Sequence, residues 1–197
     1  MQTLNSLISL EENVIPDENY TLKWDGVERQ FPNWNRDHDL RSAYKYSVVW
    51  YYQEMARRVG VDTMKYWLDK VSYGNADTTG GEDQFWLTGN LRISPIEQIQ
   101  FLQKLETGQL PFSKHTLNTV KNIMIQDSSS NYVVRWKTGW GNQDGEDIGW
   151  IVGYMEVGGD VYYFANLIRA QVGKTISQED FLDARMEILQ TILQEYK

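Results

Sequence analysis

Lys137-Thr138-Gly139-Trp140 brings a cation, a hydroxyl and a glycine together in a stretch that reads as a strand followed by a turn. A strand edge built this way offers a fixed positive charge, a hydrogen-bonding hydroxyl and a backbone that a ligand can approach closely. The combination suits an acyl ligand that carries a carboxylate. Ser42-Ala43-Tyr44-Lys45 sets a hydroxyl and an amine three residues apart, neighbours on one helix face. Ser47 lies just beyond it in an aromatic stretch, where a serine ordinarily bonds its own helix backbone. Tyr73-Gly74-Asn75 reads as a turn after a helix, since Gly and Asn both tolerate positive φ. Phe85-Trp86-Leu87 reads by default as core.

The chemistry is narrowed by what the chain lacks. With no Cys there is no thiol nucleophile, disulfide or thiolate metal site. His38 and His115 are far apart and have no ligand spacing, so no metal is expected. A net charge of −8 argues against nucleic acid or an anionic membrane as partner. At 197 residues, 41% hydrophobic and 23% charged, the chain is globular and reads as one domain, 1–197. Eight Trp and twelve Tyr imply an aromatic core or an aromatic-lined groove. No basic-then-apolar leader opens the chain and no run nears about 18 apolar residues. As written, it is expected to stay in the cytoplasm where it is made.

The elements that must position these residues are mixed. Residues 37–60 read as helix, with Asp37 or Asp39 as cap and Gly60 as close. Residues 62–71 place Met64, Trp67, Leu68 and Val71 on one face. Ser94-Pro95-Ile96-Glu97 is a capping box, followed by Ile96, Ile99, Leu102 and Leu105 at helical spacing. Ser113 opens a helix bearing Leu117, Val120 and Met124. The period then changes. Residues 132–136, 148–157 and 161–168 are β-branched and aromatic, with Gly158-Gly159-Asp160 as a hairpin turn. Ser177 and Asp180 cap a last amphipathic helix over 177–196, whose stripe of Phe181, Ile188 and Ile192 includes Arg185. A cation on such a stripe needs an anion or a groove, or else snorkels at its edge. The fold class is α/β of the α+β type, an antiparallel sheet of three strands with a helical subdomain.

Taken in order, the motifs make the chain similar to the class D serine β-lactamases, the oxacillinase family of the penicillin-recognising serine enzymes. They are Asn5-Ser6-Leu7-Ile8, Lys23-Trp24-Asp25-Gly26, Trp34-Asn35-Arg36-Asp37, Ser47-x-Val49, Tyr73-Gly74-Asn75 and Phe85-Trp86-Leu87. Leu91-Arg92-Ile93-Ser94, the Lys-Thr-Gly-Trp stretch and Gly149-Trp150-x-x-Gly153 complete the set, over almost the whole chain to about Lys197. The resemblance implies a β-lactamase/transpeptidase-like fold and β-lactam hydrolysis through a serine acyl-enzyme. By that resemblance Ser47 relays a proton, Val49 walls the base, Trp86 supports it through its indole N–H, and Tyr73 and Asn75 support the site. Lys137 supplies positive charge, Thr138 and Arg185 hold the substrate carboxylate, Gly139 keeps the strand approachable, and the N–H of Trp140 serves the oxyanion.

The departure lies at the start. Aligned on Asn5, the family's lysine falls at Gln2 and its nucleophilic serine before Met1. In the family that lysine is the general base after carboxylation by CO₂; a Gln amide has no amine to carboxylate, so no cofactor is expected. Ser42 sits between motifs that keep the family order, so its Ser-x-x-Lys is an ordinary helical position. The chain is therefore expected to be incomplete at the N-terminus, lacking a helix and strands, with an open sheet edge inviting self-association. It is also expected to be catalytically disabled, binding β-lactams weakly. The family is periplasmic or secreted. Two alternatives share the fold: a penicillin-sensing receptor-type domain, and a binding or assembly module without acyl chemistry.

Overall fold

The computed structural model describes residues 1–143 and 145–196, and of Gln143 the backbone only. Lys197, the end of the expected domain, lies outside them. The chain divides into two compact units, residues 1–92 with 108–124, and residues 93–107 with 125–197.

The first unit is helical: α1 (Gln2–Glu11), α2 (Leu40–Tyr46), α3 (Val49–Val59), α4 (Val61–Val71) and α6 (Lys114–Ile123), with a 3₁₀ turn at Pro32–Trp34. Helix α1 is buried all round, and Leu4, Leu7 and Ile8 lose all contact with solvent. Its buried polar residues Thr3, Asn5, Ser6 and Ser9 survive burial because each finds a partner. Thr3 Oγ1 meets the Tyr44 hydroxyl at 2.9 Å, Ser6 Oγ the Tyr52 hydroxyl at 3.2 Å, and Asn5 Nδ2 donates to the Tyr52 carbonyl at 3.3 Å. α1 is thus tied to α2 and α3 by side chains that a hydropathy count would place outside.

The single helix expected over 37–60 is two. Asp39, not Asp37, is the cap, accepting from the Ser42 N–H at 2.8 Å; Asp37 instead takes the Lys23 ammonium at 2.6 Å and the Trp24 N–H at 2.9 Å. Ser47 then turns left-handed (φ 54°, ψ 41°), closing α2. Val48 is extended and α3 begins at Val49. Gly60 (φ 82°) both closes α3 and opens α4. Met64, Trp67, Leu68 and Val71 are buried on α4 as their spacing predicts.

The second unit is a sheet with two helices, α5 (Pro95–Glu106) and α7 (Gln178–Gln194). The sheet has four strands rather than three: β1 (Ile125–Ser128), β2 (Tyr132–Gln143), β3 (Glu146–Val157) and β4 (Asp160–Ala170), antiparallel in the order β1-β2-β3-β4. β1 was hidden because its sequence, Ile-Gln-Asp-Ser, has no apolar alternation and is largely exposed. β3 and β4 meet in a two-residue turn, with Gly158 and Gly159 both at positive φ. Val134, Ile151, Met155, Leu189 and Leu193 form the core between sheet and α7. The buried stripe of α7 is Phe181, Leu189 and Leu193, whereas Ile188 and Ile192 are exposed. Arg185 still belongs to the buried line, four residues from both Phe181 and Leu189. On α5 the capping box forms as expected, but Ile96 is 69% exposed and the face turned inward is Gln98, Phe101, Leu102 and Leu105.

Gly153 decides whether β2 and β3 can pair. A Cβ there would stand 2.1 Å from the Arg135 carbonyl oxygen and 2.8 Å from both Phe164 and Trp136. Backbone cannot give way as a side-chain tip does. Gly153→Ala is therefore expected to cost more than about 3 kcal/mol, whereas Gly141→Ala, with nothing within 4 Å, should cost under about 1 kcal/mol. Urea denaturation of the two variants checks both.

Candidate active site

In the sheet unit, β2 presents Lys137, Thr138, Gly139 and Trp140 opposite Val152, Ile151, Trp150 and Gly149 of β3. Thr138 pairs with the core residue Ile151 and so shares the α7 face, while Lys137 points to the other face. Gly149 lets α7 close on the sheet, since a Cβ there would lie 3.0 Å from both Ile168 and Phe181. Arg185 reaches from α7 to this strand, its Nη1 donating to the Gly139 carbonyl at 2.8 Å. The Trp140 indole donates to Asp147 Oδ1 at 2.9 Å, and Asp147 Oδ2 accepts from the Val172 N–H at 3.2 Å. That carboxylate ties the motif strand to the segment leading into α7.

The electrostatics of this pair are unusual. Lys137 is only 7% exposed, and its ammonium donates to the Thr138 carbonyl at 2.9 Å and to Thr138 Oγ1 at 3.4 Å. Burial, reinforced by the Arg185 charge, lowers its pKa from 10.5 to about 7. Burial also lowers the pKa of Arg185. The Arg185 Nε is buried without a hydrogen-bond partner among the described residues. Burial thus opposes both charges, and the Arg185 charge adds to that at Lys137, an arrangement an incoming anion relieves. The sequence brought Lys137, Thr138, Gly139 and Arg185 into view, and the structure brings them together.

The remaining predicted residues belong to the helical unit. Ser47 occupies the left-handed corner between α2 and α3, a conformation that costs a non-glycine residue about 1 kcal/mol or more. Half-buried Val49 follows at the first turn of α3, whereas Val48 is fully buried. Tyr73 is 2% exposed. At 72–76 the left-handed residues are Ser72, Gly74 and Ala76 rather than Asn75. Asn75 acts through its side chain, accepting from the Arg92 N–H at 2.9 Å and donating to the Asn90 carbonyl at 2.9 Å. Trp86 is half-buried, edge-on to Phe85 at 4.8 Å. Gln2 opens α1, and its Oε1 is buried without a hydrogen-bond partner among the described residues.

Ser42 is occupied by structure. Its hydroxyl donates to Asp39 Oδ1 at 2.6 Å and lies 3.0 Å from His38 Nδ1, while Lys45 is exposed over the Tyr46 ring. His38, itself 1% exposed, uses its other ring nitrogen on the Asn33 carbonyl at 2.8 Å. This is a helix cap, not a nucleophile with its base. Among the described residues no group of three or more His, Asp or Glu is gathered as around a metal ion. No helix among them is long and apolar enough to cross a membrane.

A sheet whose second strand carries Lys-Thr-Gly, backed by an arginine-bearing C-terminal helix, is the arrangement of a penicillin-recognising domain. The family model described as the penicillin binding protein transpeptidase domain matches residues 2–194, and the chain belongs to that family. Within it the relatives are class D β-lactamases. The chain is 45% identical over 163 residues to the probable β-lactamase YbxI of Bacillus subtilis, covering 83% of this chain and 61% of that protein. It is 40% identical over 193 residues to β-lactamase OXA-48 of Klebsiella pneumoniae, covering 98% and 71%. Among solved structures, the class D β-lactamase YbXI from Nostoc superposes with a TM-score of 0.91 at 42% identity, over 98% of this chain and 79% of that one. The class D β-lactamase from Sebaldella termitidis gives 0.92 at 39%, over 98% and 77%. The chain thus spans about three fifths of the Bacillus subtilis relative.

The depressed Lys137 pKa has a defined consequence. Between about pH 10.5 and 7 the unfolded chain holds a proton on this lysine that the folded chain does not. Stability is therefore lost as pH falls through that window and stays level below it. Lys137→Met removes the term: it should stabilise the protein by about 1–3 kcal/mol at pH 7, with the gain vanishing towards pH 10.5. Thermal unfolding of both proteins across that range measures it.

Proposed function

We propose that Lys137, Thr138 and Arg185 recognise the carboxylate of a β-lactam, and that the 197-residue polypeptide binds such compounds weakly without turning them over. The observation that carries this reading is the buried Arg185 Nε with no partner among the described residues, on a side chain already fixed to Gly139 of the strand that carries the desolvated Lys137. A carboxylate placed there satisfies the orphaned donor and neutralises the repulsion between the cations. Gly139 adds no side chain to hinder approach, and the Trp140 N–H is assigned to the developing oxyanion.

In this reading the left-handed Ser47 is the relay hydroxyl, with Val49 as the apolar wall and Trp86 as an indole donor to the base. Tyr73 and Asn75 hold the accompanying loop. The position of the base itself is taken by Gln2, whose amide neither takes up CO₂ nor accepts a proton at neutral pH. Its buried, unpartnered Oε1 marks a place where the family's chemistry asks for a different group. Acyl transfer needs a nucleophile with a base in reach. Loss of either member of such a unit costs about 10⁶ in turnover in a serine protease.

The expected outcome is binding of penicillins in the millimolar range, since a few charge-assisted hydrogen bonds supply only about 1.5–3 kcal/mol each. Affinity should fall as pH rises above about 7, because Lys137 then loses its proton. Calorimetry in buffers of different ionisation enthalpy reads both the affinity and the proton taken up. Sub-micromolar or pH-independent binding contradicts the assignment.

Hydrolysis and a covalent penicilloyl adduct should both be undetectable by spectrophotometry and intact-protein mass spectrometry. An adduct of one penicilloyl group per chain overturns the disabled reading. Mapped to Ser42, it would show that the capping geometry does not hold in solution.

A further inference from the structure

The helical unit contains a cleft of about 540 Å³ that none of the residues assigned to β-lactam recognition lines. One wall is the extended segment around Lys23 and Asp25 with Arg29, and the other is the outer face of α3 with Glu54, Arg57 and Arg58. In a chain of net charge −8 this lining carries four cations against two carboxylates. Both carboxylates are spent. Asp25 takes a two-pronged contact from Arg29 at 2.8 and 2.7 Å and the Val27 N–H at 3.0 Å. Glu54 takes Arg57 Nη2 at 2.9 Å and Arg58 Nε at 2.8 Å. Beyond the lining, Asp37 pairs with Lys23 and Asp83 with Arg57.

Donors remain. A guanidinium has five N–H groups, and Arg58 uses the one on Nε for Glu54 and a further one for Tyr20. Arg29 meets its partners through Nη1 and Nη2 alone. The Asp25 contacts and the Trp50 ring, 5.8 Å from the guanidinium carbon, hold the group in place and leave Nε as a donor. The Tyr20 hydroxyl, a hydrogen-bond partner of Arg58, and the Gln53 amide, which donates to the Asp83 carbonyl at 3.4 Å, line the same cleft. The cleft's volume falls within the range of small-molecule sites.

We propose that this cleft binds a small dianionic oxyanion, a phosphate monoester or a dicarboxylate, between Arg29 and Arg58. Two guanidinium groups lining one cleft, each with donors left over, suit a ligand with oxygens on both sides, as a single carboxylate does not. Lys23, whose side chain is 84% exposed, is free to swing from Asp37 onto the ligand's outer edge.

The test is a titration of the full chain, followed by backbone amide NMR, with inorganic phosphate and separately with malonate, at an ionic strength held constant with sodium chloride. Saturable shifts at residues 20–29 and 50–58 are expected. Arg58→Gln and Arg29→Gln should each weaken binding about tenfold. Both arginines are partly exposed, and unchanged circular dichroism and melting temperature establish that the variants fold. Response to phosphate alone assigns a phosphate-bearing ligand, to malonate alone a dicarboxylate, and to both a dianion of either kind; all three support the proposal. It is overturned if neither saturates, if sodium chloride alone reproduces the shifts, or if both folded variants bind like the parent.

Discussion

A carbonyl oxygen 2.1 Å from where a Cβ would sit leaves position 153 no choice but glycine. Everything the sheet unit does follows from the close passage of β2 and β3 at that point. The passage fixes their register, and the register sets Lys137 opposite Val152, Thr138 opposite Ile151 and Trp140 opposite Gly149. Slipping by one residue would turn every side chain to the other face. Gly149 repeats the device one layer out, where the absent side chain admits Phe181 and so lets α7 carry Arg185 to the Gly139 carbonyl. The two glycines of Gly149-Trp150-x-x-Gly153 are thus packing requirements that also aim the cation.

The site this builds is electrostatically costly. Burial opposes the charges of both the Lys137 ammonium and the Arg185 guanidinium, and with the Arg185 charge added it lowers the Lys137 pKa to about 7. A fold tolerates such an expense when the rest of the unit over-determines the geometry. Here the core of Val134, Ile151, Met155, Leu189 and Leu193 supplies the stabilisation, and the Asp147 bridge between Trp140 and Val172 the fixed angle.

The helical unit spends its stability differently. α1 buries Thr3, Asn5, Ser6 and Ser9 rather than excluding them, and satisfies them against α2, α3 and α1 itself. Buried polar networks specify one packing arrangement because any other leaves donors unpaired. Into this rigid frame the unit sets its strained residues, left-handed Ser47, Ser72 and Ala76.

The class of fold, the family and most helices were legible along the chain. Caps, glycine turns and apolar spacing are local signals, and Ser94 with Glu97 or Gly158 with Gly159 means the same thing in almost any context. The sequence also put Arg185 on an apolar stripe, leaving open a groove or the stripe's edge, and built that stripe from Ile188 and Ile192 where the structure buries Leu189 and Leu193. A stripe read at 3.6-residue spacing leaves two adjacent tracks open until a sheet lies against one of them. β1 owes its existence to tertiary pairing, since an exposed strand of Ile-Gln-Asp-Ser takes its order from the neighbour it pairs with. Tertiary structure also broke the helix at Ser47, against local propensity, and moved the Lys137 pKa. Desolvation and the nearness of another charge are properties of a place in space, and no arrangement of letters along the chain records them.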